Sequence, residues 1–205
     1  MPASSDIASL PDEKLVQASK GGDMAAFEEL VARHRDKMFA RAFRIVHQED
    51  EAMDLSQEAW IKGWQRIGQF EGESSFATWM TRITINLCLD HLRRNQRYRV
   101  EPLPDTSEDV TGLDRFLPPV WTNPTERLER AELRVRIDAA LAKLSDAHRT
   151  VLVLHEFEDM GYKEIAETVG ISIGTVMSRL FYARRRMATL LAGIQDEDQD
   201  QDKSS

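Results

Sequence analysis

One residue of the 205 is cysteine, Cys88, so no disulfide can form within the chain, and a reducing cytoplasm is the expected compartment. No apolar run approaches the roughly twenty residues that a membrane helix needs. Met1 to Leu10 lack the charged start and apolar core of an export signal, so the expectation is a soluble intracellular chain with no direct membrane insertion. Strand periodicity is absent at any useful length. So are the P-loop, the nucleophile elbow and the zincin motif. His34, His47, His148 and His155 fall on different predicted helices with no ligand spacing. Cys88 and His91 share a helix face, but two ligands fall short of a metal site, and a buried thiol beside a partly exposed imidazole is the simpler account. No catalytic residue, metal or cofactor is assigned.

Charge of one sign is also scarce where it would matter most. The net charge of -8 looks wrong for a nucleic-acid binder, yet it is unevenly distributed. Asp196, Glu197, Asp198, Asp200 and Asp202 stand against one Lys203 in a polar tail after Gly193, and the tail supplies about half of the surplus. Arg82, Arg93, Arg94, Arg97 and Arg99 are opposed within their span only by Asp90. A second arginine run, Arg184 to Arg186, lies near the end, giving two candidate phosphate-binding surfaces.

What fills the chain is helical periodicity. A helix over about Asp12 to Lys20 ends at Gly21-Gly22. Asp23 can cap a long second helix carrying Phe27, Leu30, Val31, Met38, Ala42 and Ile45. A third, from about Glu49 to Ile67, is expected to bury Met53, Ala59, Trp60 and Trp64 and to end at Gly68. Ser74 or Ser75 caps a fourth, with Phe76, Trp79, Met80, Ile83 and Leu87 in one stripe. From Val100 to Trp121 the periodicity stops and prolines stand at 102, 104, 118 and 119, which reads as a linker. Asn123-Pro124 starts a helix bearing Leu128, Ala131, Val135 and Ala139, and Ser145 caps the next. The fold class is therefore all-α: two small helical bundles joined by a flexible linker. The parts are an N-terminal segment over 1–22, a first domain over 23–99, the linker over 100–122, a four-helix second domain over 123–192 and a disordered acidic tail over 193–205.

The second domain holds the most specific pattern. Ile165, Ala166 and Val169 give a short helix an apolar stripe, Gly170 can supply the positive φ that ends it, and Ser172 caps the next helix. That helix buries Val176 and Leu180, leaving Thr175, Ser178, Arg179, Tyr182 and Arg185 on its other face. This is a helix-turn-helix followed by arginines, suited to the major groove.

In this setting three segments resemble, in order, the extracytoplasmic-function sigma factors of bacterial RNA polymerase, in the sigma-70 family. They are Asp50 to Trp60 (DEAMDLSQEAW), Phe70 to Ile83 (FEGESSFATWMTRI) and the helix-turn-helix. The resemblance covers nearly the whole chain. It implies that Asp50, Asp54, Gln57, Glu58 and Ile61 dock on core polymerase, whose β′ clamp helices and β flap are the implied contacts. On a helix Asp54, Gln57, Glu58 and Ile61 share a face, and an acidic-amide face suits a basic partner. Ser56 stands where the family usually has an aliphatic residue.

The resemblance further implies that Phe70, Gly72, Ser74, Ser75, Phe76, Arg82, Asn86, Arg93 and Arg94 recognise and melt minus-10 DNA. Hydroxyls, a close-approaching glycine and aromatic faces suit an unstacked base, and arginines suit its backbone. Trp79 fits the core; Phe70 and Phe76 fit either core or base platform. For minus-35 DNA the implied set is Lys163, Ser172, Gly174, Thr175, Met177, Ser178, Arg179, Phe181, Tyr182 and Arg185, with Arg184 to Arg186 gripping phosphates. Met177 occupies a position where the family very often has Lys or Arg, and a thioether offers no donor to guanine or phosphate. Phe181 can pack against a thymine methyl.

The expected function is a promoter-specificity subunit of polymerase, since one helix-turn-helix with no dimerisation helix gives a small readout. A self-sufficient helix-turn-helix regulator with a ligand- or partner-binding N-terminal domain is the alternative, and it would need a pocket or dimer interface. Family resemblance also implies an anti-sigma factor, often membrane-anchored, holding a cytoplasmic protein.

Overall fold

The computed structural model describes residues 7–95 and 124–202, with side chains placed for 7–95 and 132–192. Among the described residues every regular element is helical. The chain divides between Arg94 and Asn95 into two compact units. The linker expected over 100–122, Arg97, Arg99 and the side chains of Leu128 and Ala131 lie outside the described residues.

The first unit contains α1 (Asp12–Lys20), α2 (Met24–Val46), α3 (Glu49–Arg66), a 3-10 turn (Ile67–Gln69) and α4 (Phe76–Arg94). The Asp23 carboxylate accepts from the backbone N–H groups of Ala25 and Ala26 at 3.0 and 3.2 Å, so two amides that α2 cannot satisfy internally are paired. At α4 the cap is Ser75, whose Oγ accepts from Thr78 N at 3.1 Å; Ser74 only reaches its neighbour's carbonyl. Leu15, Leu30, Met38, Ile45, Met80, Leu89 and Leu92 are sealed between the helices. Gly63 sets how closely α3 approaches α4, because a Cβ there would stand 2.6 Å from Met80 Sδ.

Six aromatic rings close one end of this unit. Phe76 lies within 6.5 Å of the ring centroids of Phe27, Trp60, Phe70 and Trp79, and Phe27 packs on Trp64 at 5.1 Å. Two expectations change here. Met53 was expected inside, but it is 44% exposed, because it falls on the outer side of α3 while Ala52, Leu55, Ala59 and Gly63 face inward. Gly68 does not end the helix; the backbone tightens through it into the 3-10 turn.

The second unit contains α5 (Pro124–Ala142), α6 (Asp146–Glu156), α7 (Tyr162–Val169) and α8 (Ile173–Asp202). Its core joins Leu141, Val151, Leu154, Ile165, Val176, Leu180 and Ala183. Val135 and Ala139 are exposed, and among the described side chains of α5 the buried ones are Ala140 and Leu141. Ser145 stands in the extended conformation before α6, but its hydroxyl bonds the His148 ring at 2.8 Å instead of a backbone amide. Arg149 is buried and pairs with Asp146 while donating to the Leu144 carbonyl. The C-terminal segment also differs from expectation: α8 continues through Gly193 to Asp202, where an unstructured tail was expected. Extending an existing helix adds a hydrogen bond per residue without a new nucleus, which outweighs the cost of about 1 kcal/mol for one glycine.

Candidate functional site

The helix-turn-helix is set by its turn. Gly170 adopts φ 77°, and the N–H of Ile171 reaches the Ala166 carbonyl at 3.0 Å, the closing bond of a left-handed helix end. Two residues later Ser172 Oγ accepts from Thr175 N at 3.0 Å and caps α8. Ile165, Ala166, Val169, Val176 and Leu180 are all buried, which fixes α7 against α8. Outward from this core stand Ile173, Gly174, Met177 and Arg185, with Thr175, Ser178, Phe181 and Tyr182 half-buried and Lys163 exposed on α7.

Two arginines depart from expectation, Arg179 from the groove face and Arg184 from the phosphate-gripping run. Arg179 is 4% exposed, because positions 176, 179, 180 and 183 form one inward row. That spacing was available in the sequence, and the charge of the side chain obscured it. Arg184 is tied to Glu156 of α6 through Nε and Nη2 at 2.9 and 2.6 Å. Arg185 and Arg186 remain exposed.

On α3 the residues Asp50, Asp54, Gln57 and Ile61 follow spacings of four, three and four, and all are exposed. Glu58 borders them, 3.3 Å from Lys62 Nζ. Ile61 is 59% exposed and Met53, about two turns earlier, is 44% exposed, so the face combines carboxylates with two uncovered apolar side chains. Ser56 is buried, and its hydroxyl is satisfied by the Met53 carbonyl at 2.9 Å.

The loop before α4 presents Gly72, at φ 83°, with Ser74 and Ser75. Phe70 and Phe76 belong to the core: they are 8% and 4% exposed, so neither ring offers a free face to a base. Trp79 is half-buried against both. Lys20 of α1 sits over Phe70 at 5.8 Å from its centroid, bracing the loop from the other side. Along α4, Arg82, Asn86 and Arg93 share an exposed stripe with Asp90, which Arg93 contacts at 2.7 Å; Arg94 is exposed beside them. His91 pairs with Glu51 of α3 at 2.9 Å. Among the described residues no helix is long and apolar enough to cross a membrane.

Comparison with known proteins defines the class. Residues 30–98 match the family described as Sigma-70 region 2, and residues 134–187 match Sigma-70, region 4. The RNA polymerase sigma-H factor of Pseudomonas aeruginosa is 37% identical over 177 residues, covering 84% of this chain and 90% of that protein. The ECF RNA polymerase sigma-E factor of Haemophilus influenzae is 35% identical over 178 residues, covering 85% and 92%. The chain therefore belongs to the extracytoplasmic-function sigma factors of the sigma-70 family, transcription initiation factors of RNA polymerase. A solved structure of the sigma factor RpoE with the anti-sigma factor NepR, from Bartonella quintana, has the same fold at a TM-score of 0.52; it is 23% identical and covers 81% of this chain and 96% of that one.

Proposed function

We propose that this sigma factor docks on core polymerase through the outer face of α3, opens minus-10 DNA with the loop before α4, and reads minus-35 duplex with the outer face of α8. The observation that carries the reading is the α3 face. There Ile61 and Met53 are 59% and 44% exposed among carboxylates, the mixture of apolar centre and polar rim that an interface uses. Asp50, Asp54 and Glu58 supply attraction to a basic partner, and Ile61 and Met53 supply the apolar centre. The β′ clamp helices are the proposed partner of this face, and the β flap that of the second unit. Gly72, Ser74 and Ser75 would receive an extruded base while Arg82, Arg93 and Arg94 hold its backbone. Lys163, Arg185 and Arg186 would hold duplex phosphates. An anti-sigma factor that covers these surfaces is the proposed regulator, and an anchor on that partner would retain this cytoplasmic protein at the inner membrane.

The test is Asp54→Lys with Glu58→Lys. Both side chains are at the surface, so helicity and the melting transition should be unchanged while co-elution with core polymerase is lost. A folded double variant that co-elutes at normal stoichiometry overturns the assignment.

A further inference from the structure

The loop proposed to open promoter DNA has an entry and an exit, and each is an anchored aromatic residue. Phe70 follows the 3-10 turn, with its N–H on the Ile67 carbonyl at 3.2 Å, and Phe76 begins α4. Their rings meet edge to face with 6.2 Å between centroids. Between them Glu71, Gly72, Glu73 and Ser75 are exposed, and Gly72 sits at φ 83°. Glycine gives up more backbone freedom on ordering than any other residue, so the aim of the loop depends on how firmly its ends are held.

One helix reaches both ends, the entry with its last residue and the exit with its first. Lys20 ends α1 and places Nζ 5.8 Å from the centroid of Phe70. Asp12 begins α1; its Oδ2 lies 2.6 Å from His34 Nε2, and the His34 ring rests 5.9 Å from that of Phe76. The helix between the two is firmly mounted. Leu15, Val16 and Ser19 are buried, and the turn into α2 is closed by the N–H groups of Gly21 and Asp23, which both reach the Ala18 carbonyl, at 2.9 and 3.1 Å. α1 packs on the 3-10 turn and on α4 as well as on α2. It also precedes residues 30–98, the stretch that matches the region 2 family, so the brace is an element that the matched stretch does not contain.

We infer that α1 is a positioning element for promoter opening: Lys20 by holding Phe70, and Asp12 by holding Phe76 through His34, keep the loop from Glu71 to Ser75 aimed at the extruded base without touching DNA themselves. This rests on the proposed reading that the loop opens minus-10 DNA. A loop ordered before the base arrives gives up less entropy in receiving it, so the brace acts on the opening step. Asp12 also ties Arg33 into the fold, whereas Lys20 is half-buried at a helix end, which makes Lys20 the residue to change.

Holoenzyme is assembled from core polymerase and the full chain, and assayed on a promoter duplex that the parent opens and on the same promoter premelted across minus-10. Lys20→Met keeps an apolar stem over Phe70 and removes the charge; Lys20→Arg keeps a cation. Duplex opening, followed by permanganate reactivity, is expected to fall about two- to five-fold in Lys20→Met and to return in Lys20→Arg. Both variants should co-elute with core polymerase, melt within a few degrees of the parent, and transcribe from the premelted template as the parent does, with the same salt slope. Normal duplex opening in Lys20→Met overturns the inference. So does a deficit that persists on the premelted template with the salt slope lower by about one, which would make Lys20 a phosphate contact. A large fall in melting that Lys20→Arg does not repair overturns it too, and leaves Lys20 a packing residue alone. Ser74→Ala with Ser75→Asp alters the loop itself and separates the two levels. Normal opening in that variant overturns the loop assignment, whereas failed opening there beside normal opening in Lys20→Met overturns only the hold of α1.

Discussion

Asp12 Oδ2 lies 2.6 Å from His34 Nε2, and Oδ1 of the same carboxylate accepts from Arg33 Nη1 at 2.9 Å. The pair clasps α1 to α2, and the His34 ring in turn lies 5.9 Å from Phe76, the first residue of α4. Arg33 extends the clasp to the carbonyls of Leu10 and Ala8. Burial raises the carboxyl's pKa, but the hydrogen bonds and charges of His34 and Arg33 outweigh it and hold Asp12 below the ordinary carboxylate value. A folded-state pKa held below the unfolded one contributes stability that is complete above the unfolded value, about 3.9, and is lost as pH falls through the lower folded value. Asp12→Asn should therefore cost about 1–2 kcal/mol at pH 7, and the deficit should close as pH drops below about 4. Urea midpoints followed by the fluorescence of Trp60, Trp64 and Trp79 measure it. An equal deficit at pH 7 and pH 3 would show that shape, not charge, holds the clasp.

Cys88 is wholly buried, and desolvation pushes its thiol up to about 12, partly opposed by a backbone hydrogen bond. At pH 8 the thiolate fraction is then on the order of one in ten thousand, and the attacking species is essentially absent. Ellman's reagent should leave the native protein unlabelled and react only as urea opens the first unit. Rapid stoichiometric labelling in buffer would contradict the buried placement.

Adjacent arginines near the end of the helix-turn-helix should behave oppositely. Arg184 and Glu156 are largely buried and share two hydrogen bonds, so Arg184→Ala strands a carboxylate and should destabilise the protein by about 3 kcal/mol. Arg185→Ala should leave the melting transition alone, weaken promoter affinity and reduce the salt slope by about one unit. Thermal melts and salt-dependent binding of the two variants separate the roles, and interchangeable effects would sink both assignments.

The sequence alone does not separate these two arginines, for a physical reason. Local chemistry was legible: the carboxylate at Asp23, the hydroxyl at Ser172 and the glycine at Gly170 each act within four residues of themselves, so type and spacing suffice. Arg184 owes its fate to Glu156, twenty-eight positions away on another helix, and no local pattern encodes that pairing. Arg179 is different. Its inward place follows from the row through Val176, Leu180 and Ala183, a helical period readable in the sequence although charged side chains are usually outside. Phe76 is not decided locally either, because its burial depends on rings contributed by α2 and α3, and Phe70 is packed in turn against Phe76 and Trp79 of α4.

That aromatic cluster also decides how promoter opening can be tested. Phe76→Ala would remove the ring that touches Phe27, Trp60, Phe70 and Trp79, at a cost of about 3–5 kcal/mol, so lost transcription in that variant would report folding alone. Ser75→Ala has a milder version of the same fault, since Ser75 Oγ caps α4. Ser74→Ala with Ser75→Asp avoids both: aspartate caps about as well as serine, while the hydroxyls that would hold a base are gone and a negative charge faces the strand. The variant should melt like the parent and bind polymerase and minus-35 duplex normally, because the contacts proposed for those partners lie on α3 and α8. Open-complex formation should fail. An extruded base gives up stacking and pairing worth a few kcal/mol, and the pocket that receives it must return that energy. A premelted bubble removes the requirement and should restore much of the transcription. Permanganate footprints on duplex and premelted templates give the decision: ordinary thymine reactivity on the duplex template would mean that the loop from Gly72 to Ser75 does not open the promoter.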